Sequence, residues 1–227
     1  MAKRITIAID GPAASGKSTT ARLLAKKLGY IYIDTGAMYR AATLAVLEQN
    51  IDINDENTVE RIVSNSRVTI ALADDGQHTF LDEKDVTYLL RSPKIDKAIS
   101  AVSSYAGVRR VMVEQQRELA GEGGVIMDGR DIGTVVLPDA DLKIFMIASI
   151  EARANRRVKE LMDKGAPVDA EEVRKDISRR DRLDSTRDQS PLRRADDAKD
   201  LDTSGLTIEQ QVDIIFDWAL ELQKPAS

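Results

Sequence analysis

Eight residues near the N-terminus, Gly11-Pro12-Ala13-Ala14-Ser15-Gly16-Lys17-Ser18, fit the pattern G-x-x-x-x-G-K-[ST]. They follow directly on the apolar run Ile5-Thr6-Ile7-Ala8-Ile9-Asp10 and lead into a helical pattern from Lys17 to Leu28. Strand, glycine-rich loop and helix in that order make a phosphate cradle. The glycines let backbone N–H groups turn towards the phosphate, the lysine reaches β- and γ-oxygens, and the serine hydroxyl can ligate Mg²⁺. The first turn of the helix adds its partial positive charge.

A second βα unit follows at once: the short apolar run Tyr30-Ile31-Tyr32-Ile33 ends in Asp34-Thr35-Gly36 and passes into a helical pattern reaching Leu47. The next strand of parallel type, Val125-Ile126-Met127, comes about ninety residues later, far beyond the length of a βα connection, so something is inserted between them. The insert opens with a capping signal at Asn54-Asp55-Glu56 and a short helix ending near Asn65. Val68, Ile70 and Leu72 alternate, Asp74-Asp75-Gly76 signals a hairpin turn, and His78 and Phe80 fall on the return strand. A small antiparallel lobe is expected over 51–93. Pro93 precedes helices at about 94–104 and 108–120, the second stopped by Gly121.

Leu142 to Ile147 reads as a further strand, Glu151 to Met162 and Ala170 to Leu183 as charged helices separated by Gly165-Ala166-Pro167, and Thr207 to Leu222 as an amphipathic helix. A last strand at 198–203 is interrupted by Lys199 and Asp200. Strands alternating with helices point to an α/β fold around a parallel sheet. The lone histidine, His78, reads as a surface residue, and Ile215, Phe216 and Trp218 as the packing face of the last helix.

The chain has 227 residues, no cysteine and a net charge of −5. Disulfides, thiolate zinc sites and cysteine nucleophiles are excluded. The acidic balance argues against a nucleic-acid partner, whose binding rests on many phosphate-neutralising cations. No run of about eighteen apolar residues and no secretory signal pattern is seen, so a cytoplasmic protein without membrane attachment is expected. Positive charge is nevertheless concentrated: residues 151–194 hold ten Arg and three Lys against ten Asp or Glu.

Two groups of residues suit phosphoryl transfer. Asp128 ends the strand that begins at Val125, where the metal-side acid of a phosphate-loop enzyme belongs. Arg153, Arg156 and Arg157 are spaced i, i+3, i+4, and Arg180, Asp184 and Arg187 are spaced i, i+4, i+7, so each trio can share one helix face. A solvated face with intrahelical ion pairs would show the same spacing. Transfer of a phosphoryl group leaves a protein little covalent work but needs cations around the moving group, and the planar arginine fork suits that task.

The chain resembles the bacterial cytidylate kinases, members of the nucleoside monophosphate kinases, over essentially its whole length. The likeness rests on Gly11 to Thr19, on Asp34-Thr35-Gly36-Ala37-Met38-Tyr39-Arg40, on Asp128-Gly129-Arg130-Asp131-Ile132-Gly133-Thr134-Val135-Val136, and on Arg180-Asp181-Arg182-Leu183-Asp184 with Arg187. It implies one domain with a five-stranded parallel sheet, an inserted monophosphate-binding lobe at 51–93 and an arginine-bearing lid at about 151–170. The implied reaction is transfer of the ATP γ-phosphoryl group to CMP or dCMP with Mg²⁺, in a monomeric enzyme. By the same resemblance, Gly11 to Thr19 bind ATP, Arg40, Arg130 and Arg187 hold the acceptor phosphate, Ser100, Arg109 and Asp131 read cytosine, and Arg180 with Asp184 binds ribose. Thr35 joins the CMP site in a place where the family also carries serine. Ser18 and Asp128 form the metal side.

A phosphate-loop kinase for another small acceptor, such as UMP, a nucleoside or shikimate, shares the donor motif, so the acceptor residues decide. A GTPase switch would need a guanine-reading Asn-Lys-x-Asp string, which the sequence lacks. With no cysteine and no placed histidine nucleophile, direct in-line transfer is expected, with Lys17, Arg153, Arg156 and Arg157 acting on the transferring group.

Overall fold

In a computed structural model the chain is described over residues 3–73, 76–121, 123–163, 165 and 167–224. Its elements run β1 (Thr6–Asp10), α1 (Lys17–Leu28), β2 (Ile31–Asp34), α2 (Thr35–Glu48), α3 (Glu56–Ser64), β3 (Val68–Ala73), β4 (Gly76–Leu81) and β5 (Lys84–Asp85). They continue with α4 (Pro93–Val102), α5 (Ala106–Ala120), β6 (Val125–Gly129), a π-turn at Ile132–Val136, β7 (Leu142–Ile147), α6 (Ile150–Asp163), α7 (Ala170–Thr186), β8 (Lys199–Asp202) and α8 (Ile208–Gln223). The chain divides into two compact units, residues 1–32 with 123–227, and residues 33–122.

The first unit is built on a five-stranded sheet in the order β2-β6-β1-β7-β8. β1 lies parallel to β6, from Thr6↔Val125 to Asp10↔Gly129, and parallel to β7, from Ile7↔Leu142 to Asp10↔Phe145. Central parallel strands are covered on both faces, which is why β1 and β6 read as near-continuous apolar runs. Ile7, Ile9, Leu24, Ile126, Ile144, Met146 and Ile215 are buried in one core, each contributing about 1.5–3 kcal/mol by leaving water. α1 stops at Gly29, whose φ of 66° ends the helix in the left-handed region. α8 starts with a reciprocal capping box between Thr207 and Gln210, and Phe216 and Trp218 pack against the core beside Ile215.

The last strand forms despite its charges. β8 sits at the sheet edge beside β7, only Leu201 is buried, and Lys199, Asp200 and Asp202 face outward, as protected edge strands do.

The second unit packs helices with a three-stranded antiparallel sheet in the order β3-β4-β5. Asp34 caps α2 by accepting from the Ala37 N–H at 2.9 Å, Asp55 caps α3, and Ser92 caps α4 with Pro93 in its first turn. Helix α2 packs on α4 and α3 on α5, so this unit contains the stretch 51–93 together with α2, α4 and α5. Ala73 pairs with Gly76 across the expected hairpin turn, of which Asp74 and Asp75 lie outside the described residues. His78 lies on β4 with its Nδ1 2.6 Å from Asp85 Oδ2 on β5, a strand of two residues too short to show in the sequence. Of the break between α6 and α7, Ala166 lies outside the described residues.

Candidate active site

The phosphate loop leaves the carboxyl end of β1, between the ends of β6 and β7. This is where an open parallel sheet places its ligands, because the chain's winding reverses there. Gly11 must be glycine: an added Cβ would run into the Met146 carbonyl oxygen, and its φ is 149°. Gly16, at φ 97°, precedes the first turn of α1. Lys17 is buried, and its ammonium donates to the Pro12 carbonyl at 2.7 Å and to Ser15 Oγ at 3.3 Å. Burial, followed by the nearby Arg130 charge, pushes the Lys17 pKa below the ordinary lysine range.

The loop's carbonyls are held from α6 and from the segment after β8. Arg153 Nη1 donates to the Ala13 carbonyl at 3.3 Å, and Arg156 Nη1 and Thr203 Oγ1 donate to the Ser15 carbonyl at 3.2 and 2.9 Å. Arg156 Nη2 also donates to the Thr203 carbonyl. Arg153 is buried and pairs with Asp181 of α7 at 2.6 Å, whereas Arg157 pairs along its own helix with Glu160 at 2.8 Å. Arg153 and Arg156 therefore meet the phosphate loop, and Arg157 makes an intrahelical pair.

Asp128 is buried at the end of β6 and both its oxygens accept: Oδ2 from Ser18 Oγ at 2.9 Å and Oδ1 from Tyr32 Oη at 2.6 Å. A hydroxyl and a carboxylate are hard oxygen donors of the kind Mg²⁺ takes. Among the described residues no cluster of three or more His, Cys, Asp or Glu could hold a metal ion.

Beyond Asp128 the first unit gathers the acceptor-type residues. Arg130 Nε donates to Asp184 Oδ2 at 2.7 Å, and Arg187 lies 3.8 Å from Asp131 and 4.0 Å from Asp184. Burial pushes the Asp184 carboxyl up, but Arg130, supported by Arg187 and Arg180, more than reverses this and holds it below the usual carboxylate range. Asp10, the last residue of β1, is buried and accepts from the Ile132 and Gly133 N–H groups at 2.8 and 2.7 Å. Burial pushes its carboxyl up to about 6 against those two bonds.

Sequence reasoning missed Asp10 and Tyr32. Each ends or fills a strand and has its partner more than ninety residues away in the chain; only the position of Asp10 directly before Gly11 could have drawn attention to it.

In the second unit, Thr35 is buried at the start of α2, and Arg40 pairs with Asp96 at 2.7 Å and donates to the Leu90 carbonyl at 3.1 Å. Arg109 is buried on α5, donates to the Ser103 carbonyl at 3.2 Å and stacks 5.3 Å from the Tyr39 ring centre. Ser100 lies half-buried on α4, one turn before Ser103.

A parallel sheet with a phosphate loop at its central strand, an acid on the adjoining strand and an arginine-carboxylate cluster beyond it defines the class of phosphate-loop phosphotransferases. The sequence matches the cytidylate kinase family over residues 7–221. It is 52% identical over 216 residues to cytidylate kinases of Bacillus thuringiensis (strain Al Hakam) and Bacillus cereus (strain AH187), covering 95% of this chain and 96% of each relative. A solved structure of an uncharacterized protein from Eubacterium ventriosum shares the fold at a TM-score of 0.50 and 14% identity, over 96% of this chain and 99% of that one. The chain belongs to the cytidylate kinase family.

Proposed function

We propose that the chain transfers the γ-phosphoryl group of ATP to CMP or dCMP, giving ADP and CDP or dCDP by direct in-line transfer. The observation that carries this reading is the arginine-carboxylate cluster Arg130–Asp184–Arg187–Asp131, which stands in the same unit as the phosphate loop. Family membership supports ATP and CMP as the substrate pair.

In this reading Gly11 to Thr19 embrace the triphosphate, and Lys17 neutralises charge on its β- and γ-oxygens. Ser18 and Asp128 would hold Mg²⁺, which would supply Lewis-acid withdrawal of charge from the ATP phosphates. Arg40, Arg130 and Arg187 grip the acceptor phosphate, and Arg180 with Asp184 binds ribose. Thr35, Ser100, Arg109 and Asp131 complete the CMP site, the last three reading the base. Cytosine offers acceptors at O2 and N3 and a donor at its amino group, and uracil inverts the N3 and amino positions. A site paired to cytosine leaves buried polar groups unmet by uracil, a strong source of discrimination. The lid, about 151–170, brings Arg153, Arg156 and Arg157 to the transferring group, and the lobe 51–93 serves the acceptor side. A monomeric state and a cytoplasmic location complete the reading. Among the described residues no helix is long and apolar enough to cross a membrane.

The test is a coupled ADP-release assay of purified protein with ATP and CMP, dCMP, UMP or AMP in turn. CMP and dCMP are expected to be turned over fastest; UMP or AMP outpacing CMP severalfold would sink the reading. Replacing Arg130 by alanine removes a charge-assisted contact and should raise the KM for CMP about tenfold or more, with a smaller change for ATP.

A further inference from the structure

We propose that Asp10 is a positioning residue: the carboxylate that ends β1 fixes the segment carrying Arg130 and Asp131 and thereby sets how tightly, and how selectively, the acceptor nucleotide is held. The inference rests on the reading of Arg130 and Asp131 as acceptor-binding residues.

The π-turn Ile132–Val136 begins with backbone N–H groups that have no partner inside the turn. Asp131 occupies the capping position, and aspartate is among the best capping residues, yet its side chain makes no capping bond. The cap comes from another strand: one Asp10 oxygen accepts from Ile132 N–H and the other from Gly133 N–H. The N–H groups of Val135 and Val136 both return to the Asp131 carbonyl, at 2.8 and 3.1 Å, so the backbone of Asp131 is held from both sides. Its carboxylate, relieved of capping, lies 3.8 Å from Arg187 instead.

A Cβ on Gly133 would stand in ordinary contact with Asp10 Oδ2, at 3.4 Å, and would crowd Lys143 Cδ at 3.2 Å. Asp10 pairs in register with Gly129 and is bonded directly to Gly11. One residue thus joins the end of the donor strand to the acceptor segment. Retaining a buried carboxylate here is costly, since burial opposes its ionisation, and the return is two short bonds that only the ionised form accepts together. Asparagine has the same shape but one accepting oxygen, and its amide group would face a backbone N–H.

The experiment compares wild-type protein with Asp10→Asn, Gly133→Ala and Asp131→Asn, measuring Kd for CMP and for ATP by calorimetry, kcat and KM for CMP and UMP, and melting temperature. Asp10→Asn is expected to raise the Kd for CMP about tenfold, the scale of one lost bond to a charged acceptor. It should also narrow the preference for CMP over UMP and leave the Kd for ATP within about threefold. Gly133→Ala crowds Lys143 at the turn whose N–H groups Asp10 holds and should act in the same direction, which keeps the test open if Asp10→Asn does not fold. Equal losses of CMP and ATP affinity, or a lower melting temperature with CMP binding unchanged, would show a merely structural role and overturn the proposal. If Asp131→Asn binds CMP like wild type, the acceptor reading itself fails and the proposal falls with it. If Asp131→Asn weakens CMP and neither clamp variant does, the clamp alone is refuted.

Discussion

Asp128 accepts a hydrogen bond on each oxygen, from Ser18 at 2.9 Å and from Tyr32 at 2.6 Å. The two donors differ in kind. Ser18 opens α1 at the loop's end and is itself a candidate metal ligand, whereas Tyr32 is buried in β2 and serves to orient the carboxylate. Groups that orient a ligand affect metal affinity strongly even though they do not touch the metal. Tyr32→Phe should therefore raise the Mg²⁺ concentration needed for half-maximal turnover about tenfold, with kcat at saturating metal much less changed. Titrating Mg²⁺ at fixed ATP and CMP, with calorimetry of Mg²⁺–ATP binding beside it, checks this. Most single residues of the donor side were legible because one local motif encodes them. Tyr32 and Asp10 were not, since hydrogen-bond partners brought together by neighbouring strands leave no mark in a linear pattern.

Among elements, α6 and α7 show what spacing can and cannot tell. The i, i+3, i+4 arrangement of Arg153, Arg156 and Arg157 placed them on one side of α6, but the partners of Arg153 and Arg156 come from elsewhere, Ala13 and Ser15 in the phosphate loop, Asp181 on α7 and Thr203 after β8, while Arg157 pairs with Glu160 on α6 itself. Arg153 is buried and paired, so removing it strands Asp181 and two backbone carbonyls, Ala13 and Ala148. Breaking a fully buried pair costs about 3–5 kcal/mol, and this one, with Asp181 partly exposed, falls toward or below the low end of that range, whereas a surface i, i+3 pair is worth about 1 kcal/mol or less. Arg153→Ala is accordingly expected to lower the melting temperature by several degrees as well as turnover, and Arg157→Ala to leave melting almost unchanged. Differential scanning calorimetry beside steady-state kinetics separates the two. The π-turn was equally hidden: Ile132 to Val136 is five residues long, and Asp10, which caps it, lies on a different strand.

For the whole molecule, Asp10 gives stability an unusual dependence on pH. Its folded pKa, about 6, lies above the unfolded value of 3.8, so the folded state binds this proton more tightly. By linkage the contribution of Asp10 is most favourable below about pH 4 and is lost as pH rises through 6, a cost on the order of 3 kcal/mol near neutrality. The unfolding free energy of Asp10→Asn relative to wild type should therefore rise steadily between about pH 4.5 and 7, and urea denaturation of both proteins across that range measures it. The α/β class and the order of strands and helices were readable at this scale, because apolar period and glycine punctuation are local properties. The strand order was not, since hydrogen bonding between β1 and β6 joins segments more than a hundred residues apart.

That separation also sets a timetable. Residues 33–122 form a compact unit from one continuous stretch, while the other unit needs both 1–32 and 123–227. During synthesis the phosphate loop and β1 are made well before Ile126, Ile144, Leu201 and Ile215, the residues that cover Ile7 and Ile9. Contacts of such long range form slowly. The stretch 33–122 can be completed while β1 still waits for its covering strands, so the phosphate loop gains a rigid support only after residues more than a hundred positions further along the chain have been made.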